Sequence, residues 1–207
     1  MIPLLSNPLE FIITIVGLVI GLTIHEFSHA LAADRLGDPT PRMQKRLTLN
    51  PLAHLDPVGT AFLIFFGFGW GKPVQYDPFN LTHPRRDAAI IALAGPASNI
   101  LIAILFSVLF RIIPFGWTSL FLPFIYFNVM LALFNFIPIY PLDGFRIVGG
   151  LLNEEQSRQW QGLERYGMLF LIALIFPFGS SSMLQFILSP VLRFVLSLLL
   201  PLSGGFM

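Results

Sequence analysis

Long apolar runs dominate the chain, and their lengths predict its elements. They cover residues 11–33, 58–70, 88–110, 118–138, 168–178 and 183–200. A helix rises about 1.5 Å per residue and a hydrocarbon core is roughly 30 Å thick, so the first, third and fourth runs are each long enough to span. The run at 58–70 is short and has three glycines after Val58, which suits a re-entrant or interfacial hairpin. Pro114 and Gly116 mark a turn between the third and fourth runs, and the serines at 180–182 mark one between the last two, which follow a polar stretch at 153–165. The pattern predicts an all-α polytopic membrane protein with about five to six transmembrane helices and a short re-entrant or interfacial hairpin after the first. Residues 1–207 are expected to form a single membrane-embedded domain, with no internal repeat.

Composition supports the membrane reading. Hydrophobic residues make up 55% of the chain and charged residues only 11%, against about 25% charged in soluble domains. Such a chain cannot cover its surface with solvating side chains. Abundant Leu, Ile, Val and Phe exclude disorder, and the absence of Cys excludes a disulfide scaffold and leaves His, Asp and Glu as the metal ligands. With 12 basic and 11 acidic residues, nothing points to nucleic acid as a partner. The Ala30-Leu31-Ala32 triplet resembles a signal-peptide cleavage site, but no Lys or Arg precedes Arg35, so the first run is expected to remain as a helix.

Basic residues set the expected orientation. Segment 34–57 holds Arg35, Arg42, Lys45 and Arg46, segment 71–87 holds Lys72, Arg85 and Arg86, and segment 144–165 holds Arg146, Arg158 and Arg165, whereas the turn at 111–117 has Arg111 alone. The three basic loops are therefore expected in the cytoplasm and the N-terminus outside, provided that 58–70 does not cross. Helix 88–110 then leads outward and 118–138 returns, which brings Asp143 to the membrane face where the first helix ends.

That first helix carries the unusual chemistry. His25-Glu26-Phe27-Ser28-His29 sets two imidazoles about 40° apart in azimuth and about 6 Å apart along the axis. Both can reach one zinc ion, with Glu26 beside them as a general base toward water. Ionisable groups cost at least about 2.5 kcal/mol each at the centre of a bilayer, so three within one turn call for a compensating partner. A catalytic zinc takes three protein ligands, and the residues leave Asp143, Asp56, His54 and His83 as candidates for the third. Asp143 follows two prolines, Pro138 and Pro141, that stop regular helix. Asp56 and His83 each precede a proline, an ordinary place for a turn residue.

The His-Glu-x-x-His, the Gly95-Pro96-Ala97-Ser98-Asn99 segment and Asn135-x-x-Pro138-x-x-Pro141-Leu142-Asp143-Gly144 together resemble the three signatures of the site-2 protease family of intramembrane zinc metalloproteases. The stretch from Asn50 to Gly59 resembles the compact bacterial subgroup without PDZ or CBS domains. The motifs cover roughly residues 20–147. The resemblance implies Zn2+ on His25, His29 and Asp143, with Glu26 as catalytic base and Asn135 stabilising the oxyanion or binding substrate backbone. It implies a packing and positioning role for the Gly95 to Asn99 segment and a catalytic core at 7–147, while the last two apolar runs predict a C-terminal helical hairpin at 148–207. The expected substrate is a transmembrane protein or peptide within the lipid bilayer, cleaved toward the cytoplasmic side of a bacterial cell membrane. Lys72-Pro73-Val74-Gln75-Tyr76 reads as a connecting loop, with a substrate-pairing strand as the other reading. The alternative functions are a metal-ion or proton transporter using the His/Asp cluster, and a catalytically silent protein that holds partner helices.

Overall fold

The computed structural model describes residues 8–66, 69–113, 120–178 and 181–200. Among them the chain is almost entirely helical. Helix α1 is Pro8–Arg35, α2 Thr40–Met43, α3 Pro57–Phe66, α4 Pro84–Ile112 and α5 Leu122–Asn135. Then follow α6 Asp143–Leu151, α7 Glu154–Gln161, α8 Glu164–Ile175 and α9 Met183–Leu199. The strands are a two-residue ladder between α8 and α9, Pro177–Phe178 with Ser181–Ser182. The expected turn at Pro114 and Gly116 lies outside the described residues, as does Ser180.

Two helices, α1 and α4, are long and apolar enough to cross a membrane, while α5 and α9 are shorter apolar helices. Helix α4 is central and packs against α1, α5, α6 and α9. Side-chain contacts fix the directions. Asn99 meets Gly21 and His29 meets Ile91, so α1 runs antiparallel to α4. Ile125 and Val129 of α5 pack with Ala103 and with Leu192 of α9. The last turn of α9 lies against the last turns of α4, where Arg111 donates to the carbonyls of Leu198 and Leu199 and Ser107 also donates to Leu199 O. Helix α9 is therefore parallel to α4, and its C-terminal carbonyls are capped by a cation.

Two runs differ in form from the apolar pattern. Within 118–138 the described helix is 14 residues, Leu122–Asn135, because Pro138 and Pro141 lack the amide hydrogens that would continue it. In 58–70, one helix is followed by a return of the chain. Leu55 bridges Gly71 antiparallel, Lys72 N–H donates to His54 O at 2.7 Å, and a Cβ at Gly59 would lie 2.2 Å from Trp70 O. Both ends of the excursion thus sit together.

The outer faces are apolar. Leu169 is 67% exposed, Phe186 80% and Phe194 63%. So many large apolar side chains left exposed match a lipid environment. The protein is a membrane protein.

Candidate metal centre

The centre forms where α1, α4 and the start of α6 meet. His25 and His29 are nearly buried on α1, and their Nε2 atoms are 3.0 Å apart. Asp143, the first residue of α6, places Oδ2 at 3.2 Å from His25 Nε2 and 3.3 Å from His29 Nε2. Three donors each about 2.0–2.1 Å from one tetrahedral zinc stand roughly 3.3 Å apart, close to these separations.

The far side of each ring shows what the near side offers. His29 Nδ1 lies 2.7 Å from the backbone oxygen of Ile91, which can only accept, so Nδ1 carries the hydrogen. His25 Nδ1 lies 2.6 Å from Asn99 Oδ1 and donates in the same way. A ring that donates from Nδ1 has its Nε2 turned inward, where its lone pair can bind a cation. Asp143 Oδ2 is buried and has no hydrogen-bond partner among the described residues. Three lone pairs directed at one point, one of them on an orphaned carboxylate oxygen, make the donor set of a bound divalent cation. The residues present fit zinc.

The Gly95 to Asn99 segment explains itself at this contact. A Cβ at Gly95 would lie 2.4 Å from His29 Nε2 and 2.7 Å from His25 Cε1, so only glycine lets α4 pass the rings. One turn later Asn99 reaches His25.

Glu26 and Asn135 line the same cavity as His25, His29 and Asp143, a space of about 550 Å³. Glu26 Oε2 accepts a hydrogen bond from Val74 N–H at 2.9 Å. The segment around Val74 is thereby fastened over Glu26, and no strand ladder forms there among the described residues. Arg46, only 4% exposed, anchors this segment by donating to the carbonyls of Ala53, Lys72 and Pro73. Burial draws the Arg46 pKa below its ordinary value while the charge of Glu26 opposes that shift. Burial raises the pKa of the Tyr76 phenol, with Arg146 opposing and Asp143 reinforcing the rise, so Tyr76 remains a neutral hydroxyl. The Arg146 guanidinium lies 5.2 Å from the centre of that ring.

The other candidates for a third ligand lie outside this cluster. Asp56 Oδ1 accepts from Gly59 N–H at 2.8 Å, capping α3. His54 is fully buried with Nε2 at 2.8 Å from Thr48 O. His83 is exposed at the start of α4. Sequence reasoning missed Asn128 and the anchoring role of Arg46. Asn128 had a signal, an amide inside an apolar helix; Arg46 had none, since it reads as one more loop cation.

Comparison with known proteins accords with this chemistry. The model of peptidase family M50, the site-2 protease family, matches residues 13–115 and 110–176. The chain belongs to peptidase family M50. The match runs to residue 176, beyond the last of the three signatures. Among M50-like relatives, the Bacillus subtilis protein "Putative zinc metalloprotease YwhC" is 35% identical over 80% of this chain and 81% of its own length. "Putative zinc metalloprotease Rip2" of Mycolicibacterium smegmatis is 33% identical over 80% of this chain and 67% of its own. No solved structure gives a significant match. Membership of M50 makes the protein an intramembrane metalloprotease with zinc as its cofactor, and nothing supports a transporter.

Proposed function

We propose that His25, His29 and Asp143 hold the zinc, that Glu26 is the general base, and that the substrates are peptide bonds in or next to transmembrane helices of membrane-anchored proteins. The convergence of two Nε2 atoms and a carboxylate oxygen within 4.8 Å of one another, beside Glu26 in one cavity, carries this reading. Bound zinc acidifies water and polarises a carbonyl. Glu26 takes the proton of the attacking water and returns it to the leaving amine. The hydrogen bond from Val74 N–H orients its carboxylate without neutralising it. Asn135 spends one Nδ2 hydrogen on Leu131 O at 2.9 Å, and the second is left for the developing oxyanion.

The cavity faces the cytoplasm of a bacterial cell and the N-terminus lies outside, as the basic loops imply. Helices α1, α4, α5 and α9 cross the bilayer, while α3 is re-entrant or interfacial because the ends of its excursion meet. Helix α8 begins beside Tyr140, against which Gly167 lies, at the end of the bundle where α9 also starts, so it does not cross. With α9 parallel to α4, this gives fewer crossings than the five to six that the apolar runs imply. Residues 7–147 act as the catalytic core, and the helices of 148–207 complete the bundle.

The test is Glu26→Gln. Cleavage of a membrane-anchored reporter falls by at least about a hundredfold while zinc content per chain stays near that of the wild type. Unchanged cleavage refutes the base assignment.

A further inference from the structure

The two histidines owe their orientation to different partners. His29 is set by the Ile91 backbone oxygen, which no substitution removes. His25 is set by a side chain, and that side chain is itself held by another. Phe124 O and Gly21 O are backbone carbonyls and can only accept. The Asn128 atom at 2.8 Å from Phe124 O is therefore Nδ2, and so is the Asn99 atom at 3.0 Å from Gly21 O. Asn128 must then turn Oδ1 toward Asn99, whose Nδ2 donates to it at 2.9 Å. Asn99 must turn its own Oδ1 toward His25 Nδ1. Both amides are 0% exposed, so water does not compete for these bonds. Flipping the Asn99 amide would bring its oxygen against two other oxygens, and the polarity of the chain of bonds is fixed from Phe124 to the imidazole.

We propose that Asn128 of α5 is a positioning residue for zinc: through Asn99 it holds His25 as the Nδ1–H tautomer with Nε2 presented to the ion. This rests on His25 being a zinc ligand. It also couples the metal to α5, a helix that supplies none of the proposed ligands.

The experiment is a double-mutant cycle on zinc affinity in the full-length protein in detergent, read by competition with a chromophoric chelator. Asn99→Leu should weaken zinc binding about 10–100-fold and Asn128→Leu about tenfold. The double variant should bind no more weakly than Asn99→Leu alone, because Asn128 acts only through Asn99. Wild-type affinity in Asn128→Leu overturns the proposal. So does a loss of equal size on both backgrounds, which is what a separate packing role would give. His25→Ala distinguishes the two levels: unchanged zinc affinity there removes the ligand assignment itself, whereas lost affinity with an additive cycle removes only the relay. Should Asn128→Leu fail to fold, 15N shifts of His25 in metal-free Asn128→Ala serve instead. Mixed tautomers support the relay, and a pure Nδ1–H form overturns it.

Discussion

At position 95 one methyl group decides whether the imidazoles have room. A Cβ there would lie 2.4 Å from His29 Nε2 and 2.5 Å from His29 Cε1, distances that no rotamer of a ring pinned at Nδ1 relieves. Gly95→Ala should therefore push α1 and α4 apart, costing about 1–3 kcal/mol of stability. Zinc stoichiometry and thermal unfolding of the purified variant measure this, and full zinc loading at wild-type stability contradicts it. The His-Glu-x-x-His declared itself in the sequence because three ionisable groups in an apolar helix have few other uses. Asn128 did not, because its importance depends on which helix faces it. A lone amide in a run of apolar residues reveals polarity but not its partner.

Among the elements, the connection from α1 to α4 does more than join two spans. Arg46 gathers the carbonyls of Ala53, Lys72 and Pro73, and Val74 next in line bonds Glu26. Arg46→Ala should free this segment and let the Glu26 carboxylate wander, so that cleavage falls about tenfold or more while zinc content is unchanged. Reporter cleavage beside metal analysis checks this, and loss of zinc with cleavage would point instead to general unfolding. The helical runs around α1 and α4 were legible from hydropathy alone. The early end of α5 was legible only as a pair of prolines, and the burial of Arg46 not at all, since the same residue in a basic loop serves equally as a topology signal. The meeting of Leu55 with Gly71 depends on contacts that local pattern does not encode.

For the whole molecule, the packing of Arg111 against the end of α9 places Leu198 at the end of the bundle opposite Asp143. The chain has no cysteine, so single cysteines report topology against a clean background. Leu49→Cys, Lys72→Cys and Gln159→Cys should react with an impermeant maleimide from one side of the membrane, and Leu198→Cys from the other. Labelling of positions 49 and 72 from opposite sides would mean that α3 crosses. Hydropathy gives the apolar runs at 168–178 and 183–200 a length and a composition, whereas the direction of α9 is decided by its fit against Ala103, Ile125 and Val129.

The walls of the cavity are chemically unequal. On the α4 side Ile91 and Ala92 offer only plain aliphatic surface, while Tyr76, Tyr140 and Arg146 bring phenols and a guanidinium to the lining. A bound polypeptide would find almost nothing to distinguish one sequence from another along the aliphatic side. Any effort to redirect selectivity by design would therefore begin with those three residues, of which Tyr76 also packs against the apolar cluster containing the Ile91 that orients His29.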